Sequence, residues 1–158
     1  MMGDLKIFEI PLENMTLIKF NDQNVKHMKV LEEFRDPLAM TMCYDVRSDL
    51  RRSYVNDQKN IFLVKNNDDD YFGYMRISED MDGERILCYI VQEKFRGKGL
   101  GKVMLQNVSD YLLDSNLASS LKLYINKSNY ISANMAMQCG FEKGHYVGGD
   151  MIDYYRSK

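Results

Sequence analysis

The residues best suited to chemistry lie in one continuous stretch. The apolar run Ile86-Leu87-Cys88-Tyr89-Ile90-Val91 leads through Gln92-Glu93-Lys94-Phe95 into Arg96-Gly97-Lys98-Gly99-Leu100-Gly101. This reads as a strand entering a glycine-rich turn that opens a helix. The first amides of a helix have no acceptor within it, and the aligned peptide dipoles add partial positive charge there. Glycine lets the backbone take positive φ and approach a ligand closely. Arg96, Lys98 and Lys102 add formal positive charge. Such a turn can hold a phosphate or pyrophosphate. Two common versions are excluded. The P-loop needs a Gly-Lys-Ser/Thr four residues after its first glycine, and the dinucleotide fingerprint G-x-G-x-x-G fails at Lys102 or Met104, depending on which glycine starts the count.

The elements that must position this turn can be read on either side of it. Met15 to Phe20 reads as a strand after a short extended piece, and residues 22–35 and 38–55 read as helices divided at Pro37, since the residue before a proline avoids the helical region. Ile61 to Lys65 and Tyr71 to Ser78 read as strands joined by the polar turn Asn66 to Asp70. That turn lacks the spacing and distal Glu of an EF-hand, so no metal is expected. Asp82-Gly83 marks a second hairpin before the strand Arg85 to Val91. A helix from about Gly99 to Leu113 places Leu100, Met104, Val108, Tyr111 and Leu112 on one face. Then come a strand Ser120 to Ile125, a helix from an N-cap at Ser128 through Cys139, and strands Phe141 to Val147 and Met151 to Tyr155. The order predicts a mixed α/β (α+β) sheet in one domain spanning 1–158.

On these residues the chain resembles the GNAT superfamily of acetyl-CoA-dependent N-acetyltransferases. Arg96, Gly99 and Gly101 meet the family's Arg/Gln-x-x-Gly-x-Gly/Ala core, and Val91 stands five residues before the arginine, as is usual there. Glu93 replaces a frequent proline. Asn129 and Ser132, with Gly140-Phe141 beyond, match a later Asn-x-x-Ala/Ser and Gly-Phe pattern. The resemblance covers roughly residues 60–158. It implies the GNAT fold: a single, mostly antiparallel sheet of 6–7 strands, splayed at the acyl-CoA site, with about four helices. It also implies acetyl-CoA as co-substrate. The main chain around Tyr89, Ile90 and Val91 would pair with the pantetheine. The amides of Arg96, Gly97, Lys98, Gly99, Leu100, Gly101 and Lys102 would take the pyrophosphate. Asn129 and Ser132 would lie near the pantetheine or thioester.

The resemblance leaves the catalytic roles open. Many members carry an acidic tyrosine four residues before the Gly-Phe pair, where this chain has Ala136, and a glutamate at the start of the splayed strand, where it has Arg85 beside Glu84. Tyr124, on the strand facing the splayed one, and Tyr89, on the splayed strand itself, are candidate proton donors to sulfur. Glu84, with Glu79 across the turn, is a candidate proton relay. Transfer to an amine needs a neutral nucleophile, a donor to the tetrahedral oxygen (the strand amide near Ile90 is one) and protonation of the thiolate. The alternative is a non-catalytic acyl-CoA sensor or interaction module of the same fold, which the missing Tyr and Glu favour.

Composition narrows the partners. The longest apolar run has six residues, too short to span a bilayer. No basic start followed by an apolar segment marks a signal peptide. Cys43, Cys88 and Cys139 are too few and too scattered for a disulfide framework, which suits the cytoplasm. Cys88 and Cys139 are expected to be buried structural thiols, and His27 and His145 to have no catalytic role. Net charge is −2, so no general attraction to nucleic acid or membrane is expected. Residues 1–93 carry 12 Lys/Arg against 18 Asp/Glu, and residues 94–158 carry 9 against 5. A basic C-terminal half suits the anionic cofactor. An acidic N-terminal half leans toward a cationic acceptor, either a small amine or a protein or peptide amine. Homodimers are common in the family, and one is possible here.

Overall fold

The computed structural model describes residues 9–53, 59–79 and 83–158, with backbone alone for 51–53 and 59. The N-terminal residues 1–8, the end of the helix expected over 38–55, and Asp82 of the expected hairpin turn lie outside this set.

Eight strands form one sheet: β1 (Glu9–Leu12), β2 (Met15–Lys19), β3 (Lys59–Asn66), β4 (Tyr71–Glu79), β5 (Glu84–Val91), β6 (Ser120–Asn126), β7 (Glu142–Gly148) and β8 (Met151–Ser157), in the order β1-β2-β3-β4-β5-β6-β8-β7. All pairings are antiparallel except β5 with β6. The helices are α1 (Val25–Glu32), α2 (Pro37–Met42), α3 (Ser48–Ser53), α4 (Leu100–Asp114) and α5 (Tyr130–Gln138). The mixed sheet and the class follow the sequence reading; the sheet has one strand more than its upper bound, and there is one helix more. The extra strand is β1, and it is the expected extended piece. Its Pro11 is tolerated because β1 is an edge with only β2 as neighbour.

The extra helix comes from a break. Residues 38–55 do not form one helix, because the chain turns at Cys43 (φ −119°, ψ −98°) and Val46 is fully buried. Asp45 holds the break: it accepts from Arg35 Nε at 2.8 Å, and its carbonyl accepts from Ser48 Oγ at 2.8 Å. Pro37 is the first helical residue of α2, where its missing N–H costs nothing, and Asp36 caps it by accepting from Ala39 N at 3.3 Å. α1 starts three residues later than expected because Asn24 is its cap, accepting from Lys26 N at 2.9 Å. α5 likewise starts beyond Ser128. Asn126 ties up the Ser128 amide at 2.9 Å, and Asn129 is the cap, accepting from Ser132 N at 3.2 Å.

The sheet separates two cores. Residues alternate across a strand, so Phe62 and Val64 of β3 join α4 residues Met104, Val108 and Leu112 on one face, while Ile61 and Leu63 join Leu31, Phe34 and Val46 on the other. Each fully buried Leu, Val or Phe contributes about 1.5–3 kcal/mol. These cores hold β4 and β5 in the middle of the sheet. Among the described residues no helix is long and apolar enough to cross a membrane.

Candidate active site

The site is a fork in the sheet. β5 and β6 pair in parallel from Glu84 with Ser120 to Leu87 with Leu123, and the pairing stops there. Beyond Leu87 β5 keeps β4 as its neighbour, and beyond Leu123 β6 keeps β8. The unpaired segments border a cavity of about 390 Å³, reached by Tyr44 and Ser48 from the α2–α3 side and by Asn129 and Ser132 from the α5 side.

At the end of β5 the chain enters the glycine-rich turn. Gly97 and Gly99 both have φ of +77°, a conformation that favours glycine, and Gly99 is the N-cap of α4 without a side-chain cap. No backbone carbonyl among the described residues takes the amides of residues 97–102, and Gly97, Lys98, Gly99 and Lys102 are exposed. Gly101 is there for another reason. A Cβ on it would lie 3.1 Å from Met135 Sδ of α5 and 3.3 Å from Val91 Cγ2, so its bareness lets α4 start close against both.

Arg96 stands differently from its neighbours. Its amide donates to the Glu93 carbonyl at 3.2 Å and its Nε to the Val91 carbonyl at 2.9 Å. Its two terminal nitrogens donate to both oxygens of Asp36 at 2.8 Å. This fork-to-fork pair holds the Asp36 carboxyl below the usual range and ties the turn to the cap of α2. The positive charge facing outward at the turn therefore comes from Lys98, Lys102 and the start of α4.

The candidate proton carriers fall in three places. Tyr89 lines the cavity on the α4–α5 face, with its hydroxyl 3.0 Å from Ser132 Oγ, and burial raises its phenol above the ordinary range. Ile90 is buried in the opposite core, while Val91 packs toward α4. Tyr124 also lines the cavity, but alternation puts it on the other face from Tyr89; it is 40% exposed and Lys122 Nζ sits 5.6 Å from its ring. Glu84 is at the closed end of the fork, about 13 Å along the strand from Cys88. There it pairs with Lys122 at 3.0 Å and accepts from Ser120 Oγ at 3.4 Å. The structure thus brings Tyr89, Asn129 and Ser132 together at the fork and leaves Glu84 apart. Arg85, where the family has glutamate, is fully buried and donates to the Leu117 carbonyl at 2.7 Å.

One cluster has no counterpart in the sequence reading. Asp49, 1% exposed, accepts from Arg76 Nη1 at 2.8 Å and from the hydroxyls of Tyr44 and Tyr74. Burial pushes both phenols well above their usual range. The one sequence signal was Arg76, a lone charge inside an apolar central strand; nothing marked Asp49. Cys88 corrects an expectation too. It is half-buried and lines the cavity with the exposed Cys43, and burial pushes its thiol up to about 12, whereas Cys139 is buried as expected. His27 is a buried structural histidine, accepting from Asn21 N at 3.0 Å and stacked on Phe20. His145 is exposed on β7. Among the described residues no group of side chains could hold a metal, and no carboxylate lines the cavity. The acidic surplus of the N-terminal half is partly absorbed in pairs: Glu32 with Arg35 and Arg47, Asp45 with Arg35, and Asp36 with Arg96.

A forked mixed sheet with a glycine-capped helix at its rim offers an open strand edge beside an anion-binding helix start. The family model "Acetyltransferase (GNAT) family" matches residues 28–141, and the chain belongs to that family. It is accordingly an acyltransferase that uses acetyl-CoA as co-substrate. Solved structures share the fold at low identity. Spermidine N-acetyltransferase from Vibrio cholerae, in complex with CoA and spermine, has a TM-score of 0.74 at 16% identity, with 92% of this chain and 96% of that one covered. AAC(6')-Ib in complex with paromomycin and acetyl-CoA has a TM-score of 0.74 at 14% identity over 92% and 94%. RimL, the ribosomal L7/L12 α-N-protein acetyltransferase in complex with CoA, has 0.73 at 15% over 94% and 97%. Comparison with curated proteins finds no significant sequence match.

Proposed function

We propose that this chain is a cytoplasmic N-acetyltransferase that moves an acetyl group from acetyl-CoA to a primary amine by direct attack. The observation that carries this is the fork: β5–β6 pairing ends at Leu87 and Leu123, a cavity opens there, and β5 runs from it to the unpartnered amides of residues 97–102. In this reading the pantetheine lies along the main chain of Tyr89, Ile90 and Val91. The pyrophosphate rests on the amides of Gly97 to Lys102, helped by the Lys98 and Lys102 ammonium groups and the α4 dipole. Arg96 shapes the turn from behind. The three cysteines without a disulfide support the compartment.

The acceptor nitrogen attacks the thioester carbonyl carbon as a neutral amine. The N–C bond forms, the oxygen takes negative charge near the Tyr89 amide, and the C–S bond then breaks; the ladder set by Gln92 N to the Phe72 carbonyl turns the Ile90 amide toward β4, so it is not the donor. The nitrogen's surplus proton leaves to solvent. Tyr89, protonated throughout the neutral range and hydrogen-bonded to Ser132, protonates the departing thiolate. Holding amine and thioester together in the fork supplies much of the remaining rate.

The test is thiol release from acetyl-CoA in the presence of a panel of amines, run beside Gly99→Glu. A side chain at that site has space but places a like charge on the phosphates and forces positive φ. Amine-dependent release that disappears in the variant supports the transferase. A melting shift with acetyl-CoA but no amine-dependent release would favour the binding module instead. No shift at all would overturn the cofactor site.

A further inference from the structure

Among the described residues that border the cavity, Arg76 alone carries a formal charge. Its counter-charge, Asp49, is 1% exposed, and its oxygens already accept from Arg76 Nη1, Tyr44 and Tyr74. Asp49 is thus out of a ligand's reach. Arg76 lines the cavity, and its side chain is 19% exposed; among the described residues Nη1 is its one hydrogen-bonded nitrogen, and Nε is buried without a partner. The guanidinium lies over the Tyr44 ring, 4.8 Å from its centroid, and a guanidinium with an unpartnered donor matches a carboxylate. Arg76 is the register partner of Cys88, the first β5 residue past the fork. A carboxylate held there lies beside the strand segment at which the acetyl group would sit. Among the described residues no carboxylate borders the cavity to receive a polyamine.

We propose that the acceptor is an α-amino acid, its carboxylate held by Arg76 while its amine faces the thioester. This rests on the transferase reading above and names its substrate class. The same carboxylate chemistry could enter on the acyl group instead, so the experiment separates the two sources.

Initial rates of thiol release are compared for matched pairs: alanine against ethylamine, phenylalanine against phenethylamine, and lysine against cadaverine, with spermidine beside them. The expected result is a kcat/KM at least about tenfold higher for the amino acid in at least one pair, about the value of one charge-assisted hydrogen bond. That ratio falls to about one in Arg76→Gln/Asp49→Asn, a double variant that removes both charges together and leaves neither buried alone. Arg76→Lys retains part of the preference. Equal or faster use of the decarboxylated amines or of spermidine would overturn the proposal, as would a preference that survives in the double variant. Faster transfer from succinyl-CoA than from acetyl-CoA, lost in the double variant, would put the carboxylate on the acyl group and overturn the acceptor assignment. Transfer to none of these amines would overturn the amino-acid assignment; release with a peptide amine would then keep the N-acetyltransferase reading, and no release with any amine would sink it. That outcome is distinct from transfer without preference.

Discussion

The two ends of the fork are built in opposite ways. The end proposed for the cofactor is made of neighbours in sequence: Gly97 and Gly99 turn the chain, α4 begins at Leu100, and its unpartnered amides face outward. The end proposed for the acceptor is made of residues far apart in sequence, with Tyr44 and Asp49 from the α2–α3 region meeting Tyr74 and Arg76 of β4. The first end binds with backbone and so tolerates change around it. The second works with buried side chains and depends on each partner. Backbone-built sites recur with a spelling; side-chain-built sites differ from chain to chain, which suits an end that must select its own substrate.

This contrast can be broken by substitution. Asp49→Ala should give the largest stability loss, since it removes the counter-charge of Arg76 and the carboxylate that accepts from the Tyr44 and Tyr74 hydroxyls. Breaking a buried pair from one side costs about 3–5 kcal/mol, and a loss of this size lowers the melting temperature by about 6–20 °C in a chain of this length. A shift under 2 °C in differential scanning calorimetry would show that the acceptor end does not depend on its pair. Gly99→Glu should act on the other end alone, weakening acetyl-CoA binding by roughly 100-fold, or about 2.7 kcal/mol. Titration calorimetry with CoA checks it, and unchanged affinity would remove the pyrophosphate from the α4 start.

The same contrast decides what was legible. Arg96, Gly99 and Gly101 lie within six residues, so local spacing revealed both the turn and the family. α4 and β6 were readable for a related reason: their apolar periodicity follows from facing a single core, while β5, packed on both faces, shows as an unbroken apolar run. The break between α2 and α3 was not. It depends on Asp45 meeting Arg35 and on Val46 entering the core, both contacts made only in the folded chain. Asp49 was invisible for the same reason. The engagement of Arg96 with Asp36 was hidden too, because the two are 60 residues apart and the motif alone suggests a phosphate ligand.

Smaller effects sharpen the picture where the two ends meet. Tyr89→Phe should lower kcat by about tenfold, with little change in the KM for acetyl-CoA, as loss of a general acid predicts. Because burial raises the Tyr89 phenol, the wild-type rate should show no falling alkaline limb from this group up to pH 10. Equal kcat in the variant would move the proton donor to Tyr124 or water. Asp36→Asn retains an acceptor for the α2 cap but loses the charged pair with Arg96. It should cost about 1.5 kcal/mol and raise the KM for acetyl-CoA, whereas disturbance of α2 alone would leave that KM unchanged.

The smallest expected effect concerns Cys88, which sits between the ends. Its thiol in the folded protein is pushed up to about 12 by burial, while in the unfolded chain it titrates near the ordinary value of about 8.5. A raised folded value means the folded state holds the proton longer. The stabilising contribution is therefore complete below about pH 8.5 and declines as pH rises toward 12, because only the unfolded state gains by losing the proton. Between pH 7.5 and 9 this amounts to about 0.8 kcal/mol. Cys88→Ala should flatten that part of the stability curve relative to the wild type, measured by urea unfolding at each pH. Parallel curves would mean that the Cys88 thiol is solvated in the fork, and that the cavity wall between the two ends is wetter than its lining implies.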